Sequence, residues 1–324
     1  MKAIARFAMA LAVLVAASAA FAQAYPDRPV KIVVPFAAAG PTDVIARVLA
    51  DKLSASLGKS FYVENRPGAG GNTGTAAVAA SPADGHTLVV VITGFVVNVS
   101  LFAKVPYDPV KDFAPISLVA VSPNVLTVHP SVPAKTVKEL VELIKATPKK
   151  YSYASPGVGS TPHLSGEIFR LSQGLDLATV QFTGAGPAIQ NTLGGHTPMA
   201  FTALPPAAQQ IKEGLLRALV VTGEKRVPGL PDVPTVAEAG LTGQEAYTLT
   251  GVLAPAGTPK AIIDLLHGEI VKIVKLPDVQ KRLDDQGFEV IANSPGEFAA
   301  RIRTEMEKWG KVIRDAKIKM DAAQ

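Results

Sequence analysis

Short β-branched runs alternate with amphipathic stretches along most of the chain. The first such pair spans Lys31 to Leu57. Ile32-Val33-Val34 shows no polar alternation, which predicts a strand covered on both faces. Pro35 ends it, and Phe36 to Pro41 is a small-residue turn without charge. Ile45, Val48, Leu49, Leu53 and Leu57 then recur at helical spacing. Thr42 is placed to cap this helix, Asp43 sets a carboxylate in its first turn, and Gly58 stands where a C′ glycine belongs. A strand–turn–helix unit of this kind aims unpaired backbone N–H groups beyond the strand's C-terminal end, where they favour an anion.

The unit returns in the middle of the chain. Tyr151 to Ala154 predicts a strand, Ser155 to Ser160 a turn, and Thr161-Pro162 a capped helix start. It recurs less cleanly at Gln181 to Pro187, ahead of a helix ending at Gly194-Gly195. Further strands are predicted at Phe61–Val63, Thr87–Ile92, Met199–Thr202, Ala218–Val221, Thr248–Ala254 and Phe288–Ile291. Two more, near Ile116–Val121 and Val125–Val128, are divided by Ser122-Pro123-Asn124. Helices follow Asn72, Thr136 (a capping box with Glu139), Ala207, Thr258 and Pro277, and a second capping box, Ser294 with Glu297, opens a last helix to about Ala316. Strands alternating with helices imply an α/β fold of parallel sheets with helices on both faces. Ligands in such sheets sit beyond the carboxyl ends of strands. Two sheets facing each other would set the two turns on opposite walls of a cleft.

Composition narrows the class. The chain has 324 residues, 48% hydrophobic and 18% charged, enough apolar surface for about two domains and too little charge for disorder. Lys2 and Arg6 precede an apolar run from Phe7 to Ala17, and small residues follow it. That is the pattern of a secretory signal peptide, cleaved after Ala22 or Ala24, which predicts a periplasmic protein. The formal charge is +5, and +3 once Lys2 and Arg6 are set aside, with no run of like charge, so no nucleic-acid partner is expected. Cysteine is absent, which excludes disulfides, thiolate metal sites, cysteine nucleophiles and lipid attachment at a cysteine. The five histidines form no H-x-x-x-H pair, Gly68 to Gly74 do not make G-x-G-x-x-G, and no G-x-S-x-G surrounds Ser160. No catalytic residue, metal or cofactor is therefore expected.

Several motifs together resemble the Bug-type receptors, the periplasmic solute-binding components of tripartite tricarboxylate transporters. They are VVPFAAAGPTD at 33–43, VENRPGAGGNTGT at 63–75, PADGHTL at 82–88, YDPVKDFAPISLV at 107–119, YASPGVGS at 153–160, LPDVPTVAEAGL at 230–241 and APAGTP at 254–259. The resemblance implies a two-domain periplasmic binding protein of the Venus-flytrap kind, type II-like, with the ligand cleft between domains. After a signal peptide at 1–24, residues 25–123 and 250–324 would form the first domain and 124–249 the second. It implies a carboxylate ligand held in the first turn by Phe36, Ala38, Ala39, Gly40, Thr42 and Asp43. In the second turn Ser155, Gly157, Gly159, Ser160 and Thr161 would hold it. Thr93, Asn98, Thr183, Gly184, Ala185 and Thr202 would complete the wall.

Three departures from the family pattern matter. Alanines replace the usual paired glycines of the first turn, Thr183 replaces a basic residue, and Thr202 replaces an aspartate that can meet a ligand's cationic end. The last argues against an amino acid and for a dicarboxylate or aromatic carboxylate. The expected protein is a monomer that binds such a ligand and presents it to membrane transporter subunits. Bulky residues at Gly40 or Gly159 are expected to block binding. Two other readings are a ligand-sensing partner of a membrane sensor kinase and a periplasmic hydrolase using Ser160.

Overall fold

A computed structural model describes residues 25–315 and Ile318. The expected signal peptide lies outside them. The first strands are β1 (Val30–Val34), β2 (Phe61–Asn65) and β3 (Thr87–Ile92), all parallel. Their helices are α1 (Pro41–Leu57), α2 (Asn72–Ala79) and α3 (Gly94–Leu101). Then come β4 (Phe113–Val128), α4 (Val137–Ala146), β5 (Ser152–Ser155), α5 (Thr161–Ser172), β6 (Ala178–Gln181), α6 (Ala185–Leu193) and β7 (Met199–Ala203). The remainder is α7 (Ala208–Lys212), β8 (Arg217–Val221), β9 (Tyr247–Pro255), α8 (Lys260–Val274), α9 (Pro277–Asp285), β10 (Glu289–Val290) and α10 (Pro295–Asp315).

The sheet is mixed, not parallel throughout. Its order is β2-β1-β3-β9-β4-β7-β5-β6, with β8 and β10 also on β4. The parallel expectation holds for β1–β2–β3 and for β5–β6–β7, where helical crossovers connect the strands. It fails at β4 and β9, which run antiparallel to each other and to their outer neighbours.

The two short strands expected around Ser122-Pro123-Asn124 are one strand of 16 residues. Residues Phe113 to Pro123 pair with β9, and Asn124 to Val128 pair with β7 and β8. Pro123 sits where β4 passes from one set of neighbours to the next. Its carbonyl still accepts from the Leu204 N–H at 2.9 Å. A proline in a strand is tolerated where its missing donor breaks no ladder bond.

Each half of the sheet is packed on both faces, as the unbroken apolar strands require. In β1, Ile32 and Val34 join α1 and α8 in one core, while Val33 turns to the other face with Phe95, Leu253 and Phe298. Beyond Pro123, Leu126 and Val128 pack with Tyr153, Phe169 and Phe201, and Val125 packs oppositely with Ile189 and Val221. A smaller cluster joins Val97, Leu164, Trp309 and Ile313, tying α3, α5 and α10 together.

The sequence pattern assigned no element to the stretch now seen as α3. Gly94 to Asn98 are all buried, so this helix has no polar face from which a helical period could be read. Both cap assignments beside the candidate turns move back along the chain. Gly40 caps α1 without a side-chain bond, Pro41 is its first residue, and Thr42 is free of that task. Ser160, not Thr161, caps α5, accepting from the His163 N–H.

Candidate functional site

The starts of α1, α5 and α6 converge on one small chamber. Phe36, Gly40 and Thr42 approach it from the first turn, Pro156, Ser160 and Pro162 from the second, and Ala185 from the third. Ile92, Ala203 and Thr248 close it at the ends of β3, β7 and β9. Its volume open to the centre of a water-sized sphere is about 20 Å³. That is room for about one water-sized group. No charged side chain lines it.

The helix starts that meet at this chamber carry backbone donors. In α1 the N–H groups of Thr42 and Asp43 lie in the first turn, ahead of any helical partner, and in α5 that of Thr161 does. In α6, Ala185 and Gly186 occupy the same positions. Prolines within the first three residues of each helix remove donors that nothing would bond. Helix starts of this kind favour an anion without a basic side chain.

Asp43 does not oppose an anion there. It is 4% exposed, and its Oδ2 accepts from Arg47 Nε at 2.8 Å and from the Ala39 N–H at 3.1 Å. Its Oδ1 accepts from Asn65 Nδ2 at 3.0 Å. These bonds pin Ala39 in a left-handed backbone conformation, φ 67°, at a place where paired glycines would adopt it without strain. Burial raises the Asp43 pKa, but the bonds from Arg47, Asn65 and Ala39 and the Arg47 charge outweigh it and hold the group below the usual range.

A depressed folded-state pKa contributes stability that is complete above the unfolded value of about 3.9 and is lost as pH falls through the folded value. We therefore expect the stability difference between wild type and Asp43→Asn, followed by urea unfolding, to be constant above about pH 5 and to shrink below pH 4. A difference that does not change between pH 6 and pH 3 would rule out this role.

The other expected residues divide into groups. Ala38 and Ala39 are exposed at the rim. Thr93 is buried and serves β9, accepting from the Leu249 N–H at 2.9 Å and donating to the Tyr247 carbonyl. Asn98 Nδ2 donates to Asn72 Oδ1 and to the Gly70 carbonyl, and its Oδ1 is buried without a partner. Gly159, at φ 79°, packs so closely on Asn98 that a side chain there would collide with it. Thr161 Oγ1 bonds Thr248 Oγ1 at 2.6 Å. Ser155 and Thr202 are fully buried with unpartnered hydroxyls, and Ala203 lines the chamber where Thr202 was expected to.

The turns also touch one another. The Ala37 N–H donates to the Thr183 carbonyl at 3.0 Å, and a β-carbon built on Gly184 would stand 3.2 Å from Ala37. Thr183 and Gly157 border a second, larger space beside the chamber. Gly40 is less tightly packed than Gly159. Its β-carbon position has no neighbour nearer than 3.9 Å, so an alanine fits there.

A model of the tripartite tricarboxylate transporter family receptors matches residues 45–318. The chain belongs to that family. The receptor superposes on the periplasmic binding protein BugD with a TM-score of 0.89 at 36% identity, covering 92% of this chain and all of that one. It superposes on Rpa4515 of Rhodopseudomonas palustris, solved with adipate, at TM-score 0.88 and 34% identity, over 91% and 99% of the two chains. MatC of the same organism, solved with malate, gives 0.86 and 34%, over 89% and 100%. The receptor thus has the α/β periplasmic binding protein fold, a mixed sheet flanked by helices. Among its described residues no helix is long and apolar enough to cross a membrane, and no three His, Asp or Glu side chains converge on a metal-sized site.

The named candidates omitted Pro41, Ile92, Pro156, Pro162, Ala203 and Thr248 of the chamber. Ile92 and Ala203 end their strands and were open to the carboxyl-end rule. Thr248 was not, because it stands near the start of an antiparallel strand, about which that rule is silent.

Proposed function

We propose that this receptor is exported, loses residues 1–24, and captures a small carboxylate in the periplasm for the membrane subunits of a tripartite tricarboxylate-type transporter. One observation carries the reading: the starts of three helices, where the first N–H groups have no intrahelical partner, meet at one chamber that no charged side chain lines. Carboxylates in the Rpa4515 and MatC structures support it. Each hydrogen bond to a charged group contributes about 1.5–3 kcal/mol net. Four or five of them, less the cost of immobilising the ligand, suit a dissociation constant of about 1 μM.

The working division is 25–123 with 250–324 as one domain and 124–249 as the other, β4 and β9 forming the crossings. The proposed ligand contacts are those of the three turns named above. A chamber of one water's size requires the walls to part for the ligand to enter. Contacts to both walls then supply the differential affinity that closure needs.

The Asp43 oxygens are already occupied, so no lining carboxylate awaits an ammonium group. The ligand is accordingly a carboxylate without an α-amino group, and the protein acts as a monomer. Titration calorimetry of residues 25–324 against C4 to C6 dicarboxylates, aromatic carboxylates, aspartate and glutamate tests this. Micromolar binding of the first two classes is expected. Tight binding of aspartate or glutamate would overturn the ligand assignment, and binding of no carboxylate would overturn the function.

Ser160 is not placed as a nucleophile. Its Oγ donates to the Gly157 carbonyl at 2.7 Å and caps α5 through the His163 N–H. Ser160→Ala is expected to cost about 1 kcal/mol in denaturant unfolding, the value of a lost N-cap. Ester turnover by the wild type that vanishes in this variant would restore the hydrolase reading.

A further inference from the structure

A cavity of about 400 Å³ adjoins the chamber, and Phe36 and Pro156 line both. The two spaces differ in chemistry. The chamber is ringed by helix starts and holds one water-sized group. Phe36, Phe102, Phe182 and Val158 line the outer cavity, and no charged residue does. Gln181 also borders it, and its Oε1 is buried without a partner.

We infer that the ligand is an elongated aromatic carboxylate, its carboxylate in the chamber, its ring in the outer cavity and a distal hydroxyl at Gln181. This rests on the carboxylate-receptor reading and selects among its ligands. The rings of Phe36 and Phe102, which stand beside the lining glycines Gly71 and Gly70, offer a planar body edge and face contacts that a short aliphatic chain cannot use. A second carboxylate in this cavity would meet no lysine or arginine. When the Gln181 side chain turns toward the cavity, a ligand hydroxyl donates to its Oε1 and relieves an unpaired buried group. Phe36 stands between the spaces and so positions the junction of carboxylate and ring.

Calorimetry with 4-hydroxycinnamate, cinnamate and adipate tests the inference. We expect 4-hydroxycinnamate to bind at least tenfold more tightly than adipate. Gln181→Met is expected to reduce the gap between 4-hydroxycinnamate and cinnamate. Phe102→Ala is expected to weaken both cinnamates about tenfold, with circular dichroism showing that each variant is folded. Adipate bound more tightly than either cinnamate overturns the inference and leaves the carboxylate receptor standing. So does a loss for adipate as large as the loss for the cinnamates in Phe102→Ala. If none of the three binds, the inference is overturned, and the receptor reading falls only if the C4 dicarboxylates and the other carboxylates fail as well.

Discussion

Replacing Gly186 with valine is expected to weaken carboxylate binding by about 5- to 150-fold and to leave the ligand-free protein folded. The β-carbon position of Gly186 lies 2.7 Å from the Ala38 carbonyl oxygen and 3.3 Å from the Ala39 β-carbon. Both neighbours belong to the first turn, across the site from α6. Gly186 is the second residue of α6. A side chain there is compatible with the helix and removes a glycine penalty of up to about 1 kcal/mol. The collision exists only while the two turns meet. Overpacking of a tight contact costs about 1–3 kcal/mol, which sets the fold range. Calorimetry gives the affinity, and thermal unfolding without ligand gives the control. Gly40→Ala provides the contrast, because its β-carbon has room and its effect on affinity should be small. Unchanged affinity in Gly186→Val would show that ligand capture does not need these turns to touch.

Asn124→Leu is expected to destabilise the protein by about 2–4 kcal/mol, read from urea unfolding. Asn124 is fully buried at the point where β4 changes neighbours. Its Nδ2 donates to Ser165 Oγ at 3.0 Å, and its Oδ1 accepts from Thr248 Oγ1 at 2.8 Å. Thr248 Oγ1 in turn accepts from Thr161 Oγ1, the first residue of α5. One side chain thus holds both crossing strands to the helix whose start faces the chamber. Leucine has similar volume, so little cavity forms. The loss comes from the Ser165 and Thr248 hydroxyls, each left short of a buried partner at about 1–3 kcal/mol. Because α5 carries a proposed ligand donor, affinity should fall together with stability. A loss under 1 kcal/mol would mean that the network relaxes around the leucine.

The elements of this receptor were legible where one local force sets them. The Gly58 cap is left-handed, φ 68°, and bonds the Ser54 carbonyl, as its position after Leu57 implied. Ser294 and Glu297 bond each other's backbone in the expected capping box. Thr136 caps α4, though Glu139 reaches back to the Lys135 N–H and not to that of Thr136. Caps and β-branched runs are short-range effects, so a few neighbouring residues suffice to specify them.

What the sequence determined alone was the alternation of strand and helix, two small uncharged turns ahead of helices, and a set of motifs specific enough to name the family. Tertiary structure decided the rest. It made one strand of Phe113–Val128, turned β9 against its neighbours and buried Gly94 to Asn98 of α3. It also gave Asp43, Thr93 and Thr161 partners of their own, and brought Thr248 and Phe102 to the cavities from distant segments. The physical reason is that a chain's own pattern records which faces are buried, whereas strand direction and hydrogen-bond partners depend on which other segment does the burying.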